Sequence, residues 1–114
     1  MVLELSRIHG TIVITLPGRF DLDSAPSVES ELEPVIGQHP KRVLFDFSKT
    51  GYVSSAGIRV LLKTTRALTG GGSTVAFSSL CQQAEYVFEI AGFTKIFTIY
   101  TTRDMALKHL NKKG

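Results

Sequence analysis

The short apolar run Val43-Leu44-Phe45-Asp46-Phe47 constrains the fold more than any other part of the sequence. A strand that is covered on both faces of a parallel sheet has an almost continuously apolar sequence, whereas a strand with one solvent face alternates apolar and polar residues. The run also has the length of a typical strand. We therefore predict a central strand here, with Asp46 capping the turn that follows it.

Segments of helical periodicity alternate with β-rich runs along the rest of the chain. Apolar residues recur at helical spacing in segments that begin near residues 25, 58 and 84, and a short last helix is predicted from about Thr102 to Leu110. The first helix is predicted to end at Gly37 and to be capped by Asp23 or Ser24, with Pro26 in its first turn.

The remaining β-rich runs complete the predicted sheet. Runs at residues 2–5 and 11–16 are separated by His9-Gly10, which predicts an N-terminal hairpin, and further strands are predicted at Thr74–Phe77 and Ile96–Tyr100. The element order is then β-β-α-β-α-β-α-β-α. Right-handed connections of this kind predict an α/β fold, a mostly parallel sheet with an N-terminal hairpin and about four helices packed against it.

Length and composition exclude several classes of protein. The 114 residues fit a single domain, residues 1–114, with one core of its own. No apolar run approaches the roughly 20 residues of a membrane helix, so we expect a cytoplasmic protein without membrane insertion. Cys81 stands alone, which rules out an internal disulfide and a paired-cysteine metal site. The net charge of +3 is dispersed over separate segments, so we expect no nucleic-acid partner.

The sequence carries no recognisable pattern of catalysis or cofactor binding. It contains no Gly-x-Ser-x-Gly elbow, phosphate-binding loop or His-Glu-x-x-His motif, and no pattern ties His9, His39 or His109 to a serine as a base. The glycines at 70–72 follow a predicted helix and precede a strand, the reverse of the order in a nucleotide loop. We expect a protein that is not an enzyme and that needs neither a cofactor nor a metal.

The segment Tyr52-Val53-Ser54-Ser55-Ala56-Gly57 joins the central strand to the second helix. The first amide groups of a helix lack internal partners and carry partial positive charge, so a hydroxyl at Ser54 or Ser55 lies where a phosphate is favoured. An alternative is that one of the two serines is simply the N-cap of the helix.

These residues resemble the STAS domain family, named for sulphate transporters and anti-sigma factor antagonists. The family pattern is an apolar strand ending in Asp-Leu-Ser, then an aromatic and an aliphatic residue, then Asp-Ser-Ser-Gly-Leu or Ser-Ser-Ala-Gly-Leu. Here the pattern reads Asp46-Phe47-Ser48, Tyr52-Val53 and Ser54-Ser55-Ala56-Gly57-Ile58. Gly18-Arg19-Phe20-Asp21 resembles the family's Gly-x-x-Asp, and the segment at residues 90–97 its Gly-Leu-x-x-x-Phe ending, so the likeness spans nearly the whole chain.

The resemblance implies an anti-sigma factor antagonist. The unphosphorylated form of such a protein binds an anti-sigma factor that is a serine kinase and frees a sigma factor; phosphorylation releases it, and a metal-dependent Ser/Thr phosphatase resets it. By position the phosphorylated serine is Ser55. Ser54 stands where many members have Asp, and its hydroxyl is the alternative acceptor of the phosphate. A monomer suits this role. The resemblance also allows another output, as an adaptor subunit of a lipid-transport ATPase complex or in a partner-switching system that does not control transcription.

The predicted partner-binding residues surround the predicted helix start: they are Asp21, Ser54, Ser55, Ala56, Gly57, Arg59 and Lys63. Arg59 and Lys63 are separated by one helical turn and could face an acidic partner surface. The alternatives are that both are solvated side chains and that Asp21 is a solvated turn residue.

Overall fold

The computed structural model of the chain describes residues 2–113, so the ends of the expected domain, Met1 and Gly114, lie outside the described residues. In chain order the elements are β1 (Glu4–Ile8), β2 (Thr11–Thr15), β3 (Arg19–Phe20), α1 (Ala25–Gly37), β4 (Arg42–Asp46), β5 (Tyr52–Val53), α2 (Ser55–Gly70), β6 (Thr74–Ser78), α3 (Gln82–Ile90), a 3-10 turn (Phe93–Lys95), β7 (Thr98–Tyr100) and α4 (Arg103–Lys113).

The main sheet has five strands in the order β1-β2-β4-β6-β7. Strand β4, which contains most of the apolar run 43–47, lies at its centre and pairs in parallel with β2 and β6, as predicted. Strands β1 and β2 form the predicted antiparallel hairpin at one edge. Strand β1 begins and ends later than the predicted run 2–5, because the turn consists only of His9 and Gly10, both with positive φ, and pairing continues up to Ile8.

The two faces of the sheet carry different layers. Alternate residues such as Ile14, Phe45 and Phe77 face a large core that contains side chains of α1, α2 and α3. Their neighbours Val13, Leu44 and Ala76 face a smaller apolar cluster that is completed by α4. The sheet is thus covered on both faces at its centre, and the predicted α/β class with four helices is confirmed.

Helix α4 is joined to the sheet by an ion pair between the buried Asp46 and the partly exposed Arg103. The carboxylate of Asp46, which has no exposed surface, accepts hydrogen bonds from the amide (3.0 Å) and hydroxyl (3.0 Å) of Ser48, as expected of a residue that caps a turn. The same carboxylate also accepts bonds from Nε (3.1 Å) and Nη2 (2.6 Å) of Arg103 at the start of α4. The sequence analysis did not predict this pair, which compensates the cost of burying the carboxylate.

A second sheet consists of the two-residue strands β3 and β5, which the sequence analysis did not predict. They run parallel, with Arg19 opposite Tyr52 and Phe20 opposite Val53. Flanking backbone bonds extend the pairing: Gly51 N donates to Gly18 O (2.9 Å) and Ser54 N donates to Phe20 O (2.9 Å). This small sheet brings the loop before α1 against the loop before α2.

Within residues 2–113, no helix is both long enough and apolar enough to span a bilayer.

Candidate functional site

The start of α2 is seated directly on the backbone of β3, and Gly57 makes this approach possible. A Cβ atom at position 57 would lie 2.6 Å from the carbonyl oxygen of Phe20 and 3.0 Å from Cγ of its ring. Only glycine leaves room for so close a contact between helix and strand. Gly57, predicted as a partner-binding residue, is buried, so it acts on the site through the position of the backbone.

Strand β5 is held on its other side by the side chain of Gln83 in α3. The Gln83 carboxamide accepts from the amide of Val53 (2.8 Å) and donates to the carbonyl of the same residue (2.8 Å). It therefore occupies the place of a neighbouring peptide group and satisfies the edge of the small sheet. The sequence analysis missed this residue, because nothing in the sequence connects a helical glutamine with a strand 30 residues away.

The two serines at the start of α2 lie in different environments. Ser54 is the N-cap, with an extended backbone (φ −98°, ψ 175°), and its carbonyl accepts from Ile58 N (3.0 Å). Its hydroxyl makes no capping bond; Oγ is buried and has no hydrogen-bond partner within residues 2–113. Ser55 is the first residue of the helix and is exposed. Solvent therefore reaches Ser55, while Ser54 Oγ is shielded.

Asp21 organises the loop that faces these serines. Its Oδ1 accepts from the amides of Asp23 (3.1 Å) and Ser24 (3.2 Å), and Ser24 Oγ accepts in return from the amide of Asp21 (3.1 Å). Ser24 is the N-cap residue of α1, one of the two predicted positions, but its side chain makes no capping bond to the helix. The turn that leads into the helix begins at Asp21, whose carbonyl accepts from Ala25 N (2.8 Å). The amides of Asp23 and Ser24 lie within this turn, and the carboxylate of Asp21 is their hydrogen-bond acceptor.

Hydrogen bonds also fix the charge of Asp21. The bond from the Ser24 amide, assisted by those from Arg19 (Nε to Oδ2, 3.2 Å) and from Asp23, holds the pKa of Asp21 below its ordinary value. A lowered pKa in the folded state means that this contribution to stability is complete at neutral pH and is lost only as pH falls through the lowered pKa. Arg19 in turn lies over the ring of Tyr52, 4.6 Å from its centroid.

These side chains line one open groove of about 430 Å³ at the start of α2. Its residues are Arg19, Asp21, Leu22, Asp23, Tyr52, Ser54, Ser55, Ala56 and Arg59. A second groove, of about 370 Å³ between α1 and α2, shares Leu22, Ala56 and Arg59 with the first and also contains Lys63. The structure thus gathers the predicted residues Asp21, Ser54, Ser55, Ala56 and Arg59 in one groove, with Lys63 in the next.

The charged side chains of the two grooves differ in how they are engaged. Lys63 donates to Glu29 of α1 at 2.7 Å, and this contact raises the pKa of Lys63 above its ordinary value. The side chain of Arg59 makes no hydrogen bond or ion pair with any residue of the described range 2–113.

The site also contains an apolar residue that the sequence analysis missed. Leu22 is 74% exposed at the tip of the loop that Asp21 organises, and Tyr52 beside it is 36% exposed. The sequence signal for this residue was its position: Leu22 lies between two aspartates in a predicted turn, where a polar residue is usual. Among residues 2–113 no cluster of His, Cys, Asp or Glu could hold a metal ion.

Comparison with known proteins assigns the family. The profile of the STAS domain matches residues 3–106 of the chain. The chain belongs to the STAS domain family. As the sequence motifs predicted, the match covers the central strand, the two serines and the loop around Asp21.

Individual relatives agree with this STAS assignment. The chain is 31% identical over 106 residues to the "Putative anti-sigma factor antagonist BtrV" of Bordetella bronchiseptica. The aligned residues make up 93% of this chain and 91% of BtrV. Its fold is similar to that of a crystal structure of an anti-sigma factor antagonist from Mycobacterium paratuberculosis, with a TM-score of 0.87, 22% identity and coverage of 95% and 92%.

The fold of this chain is also similar to two structures of the anti-sigma factor antagonist SpoIIAA of Bacillus, one unphosphorylated and one phosphorylated. The unphosphorylated form matches with a TM-score of 0.82, 18% identity and coverage of 96% of each chain. The phosphorylated form matches with a TM-score of 0.74, 18% identity and coverage of 95% of this chain and 98% of SpoIIAA.

The contact between Gly57 and Phe20 predicts opposite outcomes for two glycine substitutions in α2. Gly57→Ala forces a methyl group against the Phe20 carbonyl and should lower the free energy of unfolding by about 1–3 kcal/mol, as overpacking does. Gly70→Ala is the matched control, because a Cβ there meets nothing within 4 Å; it should be neutral or stabilising by up to about 1 kcal/mol. Urea unfolding measures both, and a Gly57→Ala chain as stable as Gly70→Ala would contradict the account.

Proposed function

We propose that this STAS domain is an anti-sigma factor antagonist that is switched by phosphorylation of Ser55. Its unphosphorylated form binds an anti-sigma factor with serine kinase activity and thereby frees the sigma factor. Phosphorylation releases the domain, and a Ser/Thr phosphatase restores it. The domain acts by binding and not by catalysis. The observation that carries the proposal is the exposed serine at the first position of α2, inside a groove lined by charged and apolar side chains.

The difference between the two serines supports Ser55 as the phosphorylated residue. A kinase must bring the γ-phosphate of ATP in line with the attacking hydroxyl, which requires an accessible oxygen. Ser55 is exposed, whereas Ser54 Oγ is buried under the start of the helix. Phosphorylation of Ser54 would first need its side chain to rotate so that Oγ leaves its buried position.

The shape of the surface supports a protein partner. Binding energy at interfaces concentrates in a few apolar or aromatic anchors and arginines that become desolvated, within a polar rim. Here Leu22 and Tyr52 are the apolar anchors, and Arg59 is a cation that no described residue of this chain engages. Because the hydrogen bonds of Asp21 hold the Leu22 loop in place, little ordering cost remains to be met on binding.

Phosphorylation acts at the interface and not on the fold. A phosphate adds about −1.5 to −2 charges, and the amides and dipole at the start of α2 stabilise an anion there. In a complex the same charge would be buried beside Asp21 and Asp23, which line the same groove. A penalty of about 3 kcal/mol weakens binding more than a hundredfold.

Incubation with ATP and an anti-sigma factor serine kinase from the same genome tests the assignment. Intact-mass and fragment mass spectrometry should find one phosphate, on Ser55, because of the two serines at the start of α2 it is the exposed one. Ser54→Ala should be modified like the natural chain, and Ser55→Ala should stay unmodified and bound to the kinase. Phosphate on Ser54 would refute the choice of serine. A chain that binds but is never modified would instead favour the adaptor function.

The exposed Leu22 should be an anchor of the interface. Leu22→Ser should weaken binding of the unphosphorylated domain to the kinase at least about tenfold, as loss of a hot-spot side chain does, without lowering stability, since the side chain makes little contact in the free domain. Ile90→Ser is the matched control, because Ile90 is 69% exposed on α3 and lines neither groove. Isothermal titration calorimetry measures both, and equal affinities of the two variants would contradict this interface.

A further inference from the structure

Arg59 differs from the other basic side chains around the two grooves. Arg19 is paired with Asp21 and lies over Tyr52, and Lys63 is paired with Glu29. Arg59 lines both grooves and is exposed, yet no residue between 2 and 113 accepts a hydrogen bond from its guanidinium. Its guanidinium is therefore available for a group that is absent from the free, unphosphorylated domain.

The position of Arg59 relative to Ser55 narrows what that group is. The two residues are i and i+4 on α2, so their side chains lie on one face of the helix, a turn apart, and both line the first groove. The anionic residue is best placed N-terminal to the cationic one in such a pair. A guanidinium also matches the geometry of phosphate oxygens and can donate two parallel bonds to them.

We propose that Arg59 binds the phosphate on Ser55 within the same chain, a role that rests on the proposed phosphorylation of Ser55. The charged groups that face this phosphate are Arg19, Asp21, Asp23 and Arg59. Arg19 is already neutralised by Asp21, so Arg59 is the cation that remains for the phosphate. The pair adds an intrahelical contact to the first turn of α2, so the phosphorylated domain keeps its fold.

The pair gives Arg59 a second part in the switch. In the unphosphorylated domain the guanidinium points to no anion of its own chain and is free to meet a carboxylate of the kinase. In the phosphorylated domain it is held by the phosphate. Phosphorylation therefore removes a cation from the interface as well as adding an anion to it, and both changes oppose rebinding.

The titration of the phosphate tests this pair without relying on the kinase. Phosphoserine is installed at position 55 during translation, in the natural sequence and in the variants Arg59→Gln and Lys63→Gln, and the second pKa of the phosphate is followed by 31P NMR. A neighbouring cation favours the dianion and lowers this pKa. The pKa should be lower in the natural sequence than in Arg59→Gln by about 0.3 of a unit, the scale of an i, i+4 ion pair on a helix.

The Lys63→Gln variant is the control for the loss of a positive charge from α2. Lys63→Gln removes the same charge from the next turn of α2, where the lysine is occupied by Glu29, and should leave the phosphate pKa close to that of the natural sequence. Equal values in the natural sequence and Arg59→Gln, or an equal rise in both variants, would overturn the proposal. Because the phosphoserine is incorporated during translation, this result is independent of whether a kinase modifies Ser55, which the mass spectrometry decides.

Discussion

The contact between Gly57 and the carbonyl of Phe20 is the constraint on which the site depends. It seats the first turn of α2 on β3, and the β3–β5 pairing then sets the distance between the Asp21 loop and the serines. Any side chain at position 57 would push the helix away and open the groove. The glycine of the Ser-Ser-Ala-Gly segment is thus explained by packing, and the contact it allows fixes the helix start at which Ser55 is exposed.

A preformed surface determines what a phosphate can do here. The Leu22 loop is held by reciprocal bonds between Asp21 and Ser24, β5 is held by Gln83, and the strand before it ends at the Asp46–Arg103 ion pair. These contacts hold the backbone of the described site in place in the free domain. A modification at the exposed Ser55 therefore changes mainly the electrostatics of the surface, and Arg59 is the side chain best placed to respond.

The sequence predicted the elements that have a periodicity and missed those that do not. The hairpin, the central strand and the four helices all carry apolar patterns of sufficient length, and the helix start with its two serines follows from the same patterns. Strands β3 and β5 have two residues each and no periodicity to detect. The pairs Asp46–Arg103 and Val53–Gln83 join segments 57 and 30 residues apart, so only the folded chain reveals them. The different accessibility of the Ser54 and Ser55 hydroxyls likewise depends on their burial in the folded chain, and the sequence alone does not distinguish two adjacent serines in this respect.

The most direct test of the account compares amide 1H–15N NMR spectra of the domain with serine and with phosphoserine at position 55. A phosphate that acts on a preformed surface should shift only the amides around the first groove, residues 19–23 and 52–59, and leave those of β2, β4 and β6 in place. Shifts that spread through the central strands, or a loss of dispersed signals, would show that phosphorylation changes the fold itself and would contradict the central claim.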